Sequence, residues 1–143
     1  MKIHDANIYL LLNNYKDKIL IFNAIDINKN NILLEFNHIF AYKIENELSG
    51  NIILDIEEVE IKTILKEEEK YFIKNRQFGW PEIKYSNIND LINKTKEYKA
   101  YNIYSSYGLS GWIIAKIMII EKGIIEYKII KEKSAEQAAG ADL

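Results

Sequence analysis

The 143-residue chain contains no cysteine, one proline (Pro81), one arginine (Arg76) and two histidines (His4 and His38). Without cysteine there is neither a disulfide scaffold nor a thiolate metal site, and a reducing compartment is permitted. Two histidines with no His-x-x-x-His or His-Glu-x-x-His spacing leave no histidine-based zinc site. A single arginine is poor equipment for nucleic acid, which normally meets a face rich in Arg and Lys. No apolar run reaches the roughly 18 residues that a membrane helix needs; the longest, Trp112 to Ile120, is broken by Lys116. The start "MKIHDANIYLLLNNY" makes a poor signal peptide, so the expected location is cytoplasmic.

What is present is an apolar, charge-balanced chain. Hydrophobic residues make up 48% and charged residues 28%, enough for one buried core under a polar surface. The net charge of −2 is carried by Glu136 and Asp142, both in the tail "SAEQAAGADL". That tail replaces the Ile and Asn of the body with Ala and Gly. The expected organisation is one globular domain over residues 1–133 and a flexible, native or vector-derived tail over 134–143.

The first third alternates with the period of a strand. "NIYLLL", "KILIFNAIDI" and "ILLEFNHIFAYKIE" are separated by the turns "NNYKD" and "NKNN". In the third run Ile32, Leu34, Phe36, His38, Phe40, Tyr42 and Ile44 share one parity, which predicts a half-buried His38. Ser49-Gly50 breaks the chain, and "NIILDI" adds a fourth strand. "EEVEIKTILKEEEKYFIKN" then changes period. Ile61, Ile64, Leu65 and Phe72 follow helical spacing, while Val59, Ile61, Thr63 and Leu65 also alternate, so 57–74 reads as helix with strand as the competitor. "QFGWP" ends that element, and "SNINDLINKTKEY" forms a short helix with Ile88, Leu91, Ile92 and Thr95 on one face. "AYNIYSS", "GWIIAKIMIIE" and "IIEYKIIKE" close the chain as strands, with a hairpin turn at Lys122-Gly123. The fold class that follows is α+β: an antiparallel sheet of about six strands, with one or two helices inserted mid-chain and packed on one face.

Few catalytic patterns survive. "YGLSGW" places Gly111 directly after Ser110, so the Gly-x-Ser-x-Gly elbow is not met. His38 has no second partner in sequence to make it a general base. Phosphate-loop glycine patterns are absent. The acids at Asp55, Glu57, Glu58 and Glu60, and at Glu67, Glu68 and Glu69, are interspersed with lysines. Helical spacing would pair Glu58 with Lys62, Lys66 with Glu69 and Glu67 with Lys70. The competing reading is an acidic patch that meets a basic partner, because adjacent like charges repel unless something answers them. Tyrosine suits protein interfaces through its large area and polar tip. Tyr104 and Tyr107 are candidates of that kind, with Trp80 and Arg76 near the mid-chain turn, whereas Trp112 reads as core.

Two stretches carry a family resemblance. "ILLEFNHIFAYKIENEL" is a Phe-bearing strand that ends in a "FxxxxAYKxxxE" pattern. "AYNIYSSYGLSGWIIAK" is a strand, a Ser-Ser-Tyr-Gly loop and a Gly-Trp strand. Together they cover about a quarter of the chain, and they resemble small immunity proteins that accompany bacterial polymorphic and contact-dependent inhibition toxins. The resemblance implies a non-enzymatic cytoplasmic protein, without cofactor or metal, that binds and neutralises a cognate toxin domain. The partner-binding candidates from the residues themselves are Glu57, Glu58, Glu67, Glu68, Glu69, Arg76, Trp80, Tyr104 and Tyr107. Two other functions fit the same sequence. One is a small-ligand-binding or enzymatic domain with a pocket lined by Tyr, Trp and His38. The other is a self-associating domain that pairs through a strand edge, so monomer and homodimer both stay open.

Overall fold

The computed structural model describes residues 5–45, 52–108 and 110–122. Six antiparallel strands occur among them: β1 (Ala6–Asn14), β2 (Ile19–Ile25), β3 (Asn31–Glu45), β4 (Ile52–Val59), β5 (Lys99–Tyr107) and β6 (Ser110–Lys122). They close into a barrel in the order β1-β2-β3-β6-β5-β4. Three helices lie between β4 and β5: α1 (Ile61–Glu67), α2 (Glu69–Arg76) and α3 (Ile88–Lys94). The α+β class, the strand count and the mid-chain position of the helices follow the sequence expectation. The third helix and the closure of the sheet go beyond it. The break at Ser49-Gly50, the turn at Lys122-Gly123, the strand "IIEYKIIKE" and the tail lie outside the described residues.

The segment over 57–74 contains both periods. Val59 ends β4, and helix begins two residues later. A further break at Glu68, whose φ of −102° and ψ of 19° are not helical, separates α1 from α2. This removes the expected intrahelical ion pairs. Glu58 is a strand residue and meets Lys99 at 3.6 Å, and Lys62 meets Glu60 at 3.3 Å. The break stands between Lys66 and Glu69, and between Glu67 and Lys70, and neither pair forms among the described residues.

The strand turns are built by side chains. Asp17 N–H donates to Asn14 Oδ1 at 3.0 Å, and Lys18 completes the β1–β2 turn with φ +56°. In the β2–β3 turn Asp26 Oδ1 accepts from the backbone N–H of Asn28 and Asn30, each at 2.9 Å. The left-handed residue there is Lys29, φ +62°, not one of the asparagines that tolerate this region best.

Strand alternation splits the apolar residues into two cores. Ile8, Leu20, Phe22, Ile32, Leu34, Phe36, Tyr101, Ile103 and Ile113 fill the barrel. Phe36 meets Phe22 edge-on at 6.1 Å and Tyr101 at 5.4 Å. The opposite parity of β3, β5 and β6 faces the helices. Register places Ala100, Ile114 and Ala41 in one row across β5, β6 and β3. Two alanines beside one isoleucine leave a shallow surface on which Ile64, Leu65, Phe72, Ile88 and Leu91 pack. Trp112 belongs to this second core, stacked on Phe72 at 5.6 Å. Each core removes its apolar area from water at about 25 cal/mol per Å², so the helices are held by packing more than by propensity.

Candidate functional site

At the edge of the helix layer, beyond buried Trp112, the outer face of the sheet turns polar. Its composition follows from register. Lys43 pairs with Trp112, Trp112 with Asn102, and Asn102 with Glu57, which makes one row across β3, β6, β5 and β4. In the next row Glu45 pairs with Ser110, and Tyr104 pairs with Asp55. Residues of the other parity, Tyr42, Ile44, Ile103 and Ile56, pack toward the barrel core, so this set faces outward. Tyr104 is 41% exposed there, and its hydroxyl accepts from Asn102 Nδ2 at 3.3 Å.

Acids dominate this face. Lys43 bridges Glu45 at 3.0 Å and Glu68 at 3.2 Å, and its ammonium lies 4.9 Å from the Tyr71 ring centroid. The hydrogen bond to Glu45, with Glu68 adding to it, holds the Lys43 pKa above its ordinary value despite partial burial. Glu57 is exposed and has no ion pair to another described residue.

The nine sequence-predicted residues separate in space. Glu57 and Tyr104 share the outer face, and Glu68 reaches it through Lys43. Glu58 pairs with Lys99, and Glu67 and Glu69 are exposed on either side of the helix break. Arg76 is a structural tie. It donates to the Tyr85 carbonyl at 3.0 Å and lies over the Tyr85 ring at 4.6 Å. Trp80 is not the surface residue expected. It is half-buried, stacked on Phe72 at 5.1 Å and met edge-on by Tyr71 at 5.3 Å, because the turn folds back onto α2. The backbone of Tyr107 ends β5, and its side chain lies outside what is described.

Sequence parity fails at His38. It has φ +54° and is exposed rather than half-buried. The left-handed backbone takes it out of the alternation, and the register with β6 shifts just beyond it, between Ile39 and Ala41. Bulges of this kind re-aim side chains. The Ile39 N–H donates to the Lys18 carbonyl at 3.0 Å, which ties the kinked β3 to the β1–β2 turn.

That tie borders an open-mouthed cleft of about 390 Å³ whose walls include His38, Tyr42, Trp80 and Tyr98. Lys18 meets Glu82 across it at 2.8 Å. This hydrogen bond raises the Lys18 pKa and lowers that of Glu82. Asn13 Nδ2 donates to the Tyr42 hydroxyl at 2.6 Å, and burial together with a bond to Tyr15 pushes the Tyr42 pKa up. Sequence reasoning missed Lys18, Glu82 and Lys116 here, because they come from three distant segments with no motif between them. Among the described residues no group of three or more His, Asp or Glu is arranged to hold a metal ion, and no helix is long and apolar enough to cross a membrane.

Fold and surface thus define a closed antiparallel barrel flanked by helices, with an acidic tyrosine-bearing face and a separate aromatic cleft. No protein-family model matches the chain, and no curated protein does. Among solved structures, the chain is similar to one titled as an uncharacterized protein from Neisseria gonorrhoeae. The TM-score is 0.48 and the identity 15%, over 85% of this chain and 97% of that one. A likeness at that level carries no argument about function.

Proposed function

We propose that the protein is a non-catalytic binding module of the immunity type, which neutralises a bacterial toxin domain by holding a basic surface of it. The observation that carries this reading is the register that sets exposed Tyr104 among Glu45, Asp55 and Glu57 on one sheet face. An aromatic anchor with a polar tip beside a net-acidic surface suits a protein interface. The acids speed and orient the encounter, and Tyr104 supplies desolvated contact area. Lys43 is outnumbered there by Glu45, Asp55, Glu57 and Glu68, so the face offers net negative charge to its partner.

The test is co-expression with the toxin domain encoded beside this gene, scored by growth protection and by calorimetry of the purified pair. The wild type is expected to protect. Asp55→Lys with Glu57→Lys is expected to weaken binding at least tenfold and steepen its loss with salt, with the thermal midpoint nearly unchanged. Tyr104→Ala is expected to act mainly on the off-rate. Full protection by a triple Asp55→Lys, Glu57→Lys, Tyr104→Ala variant removes this face from the function. Absence of any complex removes the immunity reading.

A further inference from the structure

The cleft beside His38 has the chemistry of a second binding site, independent of the acidic face. We propose that it takes a small aromatic anion: a planar ring carrying one carboxylate or phosphate.

The size fits. A cleft of about 390 Å³ lies within the range of small-molecule sites and holds one or two fused rings. The walls suit a flat apolar body. Phe40 and Tyr98 pack at 5.2 Å, and Trp80 is already fixed by its stack on Phe72 at 5.1 Å. A ring entering the cleft therefore meets aromatic surfaces that lose little freedom on binding.

The charge fits an anion. Two lysines line the cleft, Lys18 and Lys116, against one carboxylate, Glu82. Both lysines are paired: Lys18 with Glu82 at 2.8 Å, and Lys116 with Glu97 at 3.2 Å. The two carboxylates are largely in water, with side chains 76% and 67% exposed. Such surface pairs hold weakly, so a ligand carboxylate or phosphate can displace a solvated glutamate at little cost. Lys116 also lies 5.3 Å from the Tyr98 ring centroid, which places the charge next to the stacking surface.

The backbone shapes the rim. Lys18 and His38 both adopt positive φ, at +56° and +54°, and the Ile39 N–H joins the two segments. Left-handed backbone at residues other than glycine persists where its surroundings enforce it. Here it delivers Lys18 and His38 to the same rim.

Binding is read from tryptophan fluorescence and calorimetry on the full chain. The probes are indole-3-acetate and 4-hydroxyphenylacetate, adenosine and uridine monophosphate, tryptamine and tyramine, and acetate and inorganic phosphate alone. Saturable binding of an aryl carboxylate or of a nucleotide supports the site and tells the two sources apart. The amines, and the anions without a ring, are expected to bind at least tenfold more weakly. Lys18→Ala with Lys116→Ala is expected to weaken the anion at least tenfold, and Tyr15→Ala, at a 76% exposed position, less. Asp55→Lys, on the separate face, is expected to leave ligand binding unchanged, which keeps this test distinct from that of toxin binding. No saturable binding of any ringed anion at millimolar concentration overturns the proposal. Equal binding of the amines, or indifference to loss of both lysines, overturns it as well.

Discussion

Single positions carry constraints that the surrounding sequence does not advertise. Gly111 has φ +150°, and a Cβ placed there would lie 1.8 Å from the Lys43 carbonyl oxygen. The neighbour is backbone on a paired strand, so it cannot yield without parting β3 from β6. Gly111→Ala is therefore expected to cost 3 kcal/mol or more (roughly, from strain and overpacking together). Chemical denaturation checks this, and wild-type stability would show that the strands can part at that point. Asn23 is the opposite case. It is fully buried on β2, and neither amide atom has a hydrogen-bond partner within the protein. An unsatisfied buried polar group costs about 1–3 kcal/mol, and β-branched residues suit strands. Asn23→Val is expected to raise the thermal midpoint in calorimetry; a lower midpoint would mean that the amide is satisfied, for instance by a buried water.

At the scale of elements, local chemistry was legible where it is local. α3 follows its cap: Asn87 Oδ1 accepts from the Asp90 N–H at 2.8 Å. Asp90 Oδ2 in turn accepts from the Ser86 N–H at 2.8 Å and meets Lys94 at 3.2 Å. Asn87→Ala is expected to cost about 1 kcal/mol. The Ser86 backbone bond first, and Lys94 second, hold the Asp90 pKa below its ordinary value. A depressed carboxylate stabilises the fold above its unfolded pKa and loses that contribution as pH falls through the folded one. The stability gap between wild type and Asp90→Asn should thus be constant near neutrality and close in strong acid. A gap that widens on acidification would contradict the assignment. The element over 57–74 was less legible. Val59, Ile61 and Leu65 satisfy two periods at once, and the choice was made by tertiary partners: Val59 sits opposite Ala100 on β5, while Ile64 and Leu65 of α1 pack onto the sheet.

For the whole molecule, closure of the barrel is the decisive feature. β3 and β6 pair from Ile32↔Lys122 to Glu45↔Ser110, whereas β1 and β4 join only through Ala6↔Ile53 and Asn7↔Ile52 among the described residues. Long ladders open at higher free energy than their ends. Amides in the middle of the β3–β6 ladder should be among the slowest to exchange, and fast exchange there would argue against it as the spine of the barrel. Closure also decides which face meets solvent. It leaves Asp55, Glu57 and Tyr104 outside beyond the helices, and it brings the β1–β2 turn to the kink of β3.

Local pattern was enough for the strands up to Glu45, the short helix α3 and the lack of any cysteine or two-histidine metal spacing. These depend on neighbours a few residues apart, and period and turn chemistry report them directly. Long-range pairing was needed for the closed sheet, the exposure of His38, the half-burial of Trp80 and the meeting of Lys18, Lys116 and Glu82 around one cleft. Each of these rests on pairings between distant segments. A single left-handed residue or bulge, as at His38 and Phe40, reverses which side of a strand a residue faces, and no local pattern records that reversal.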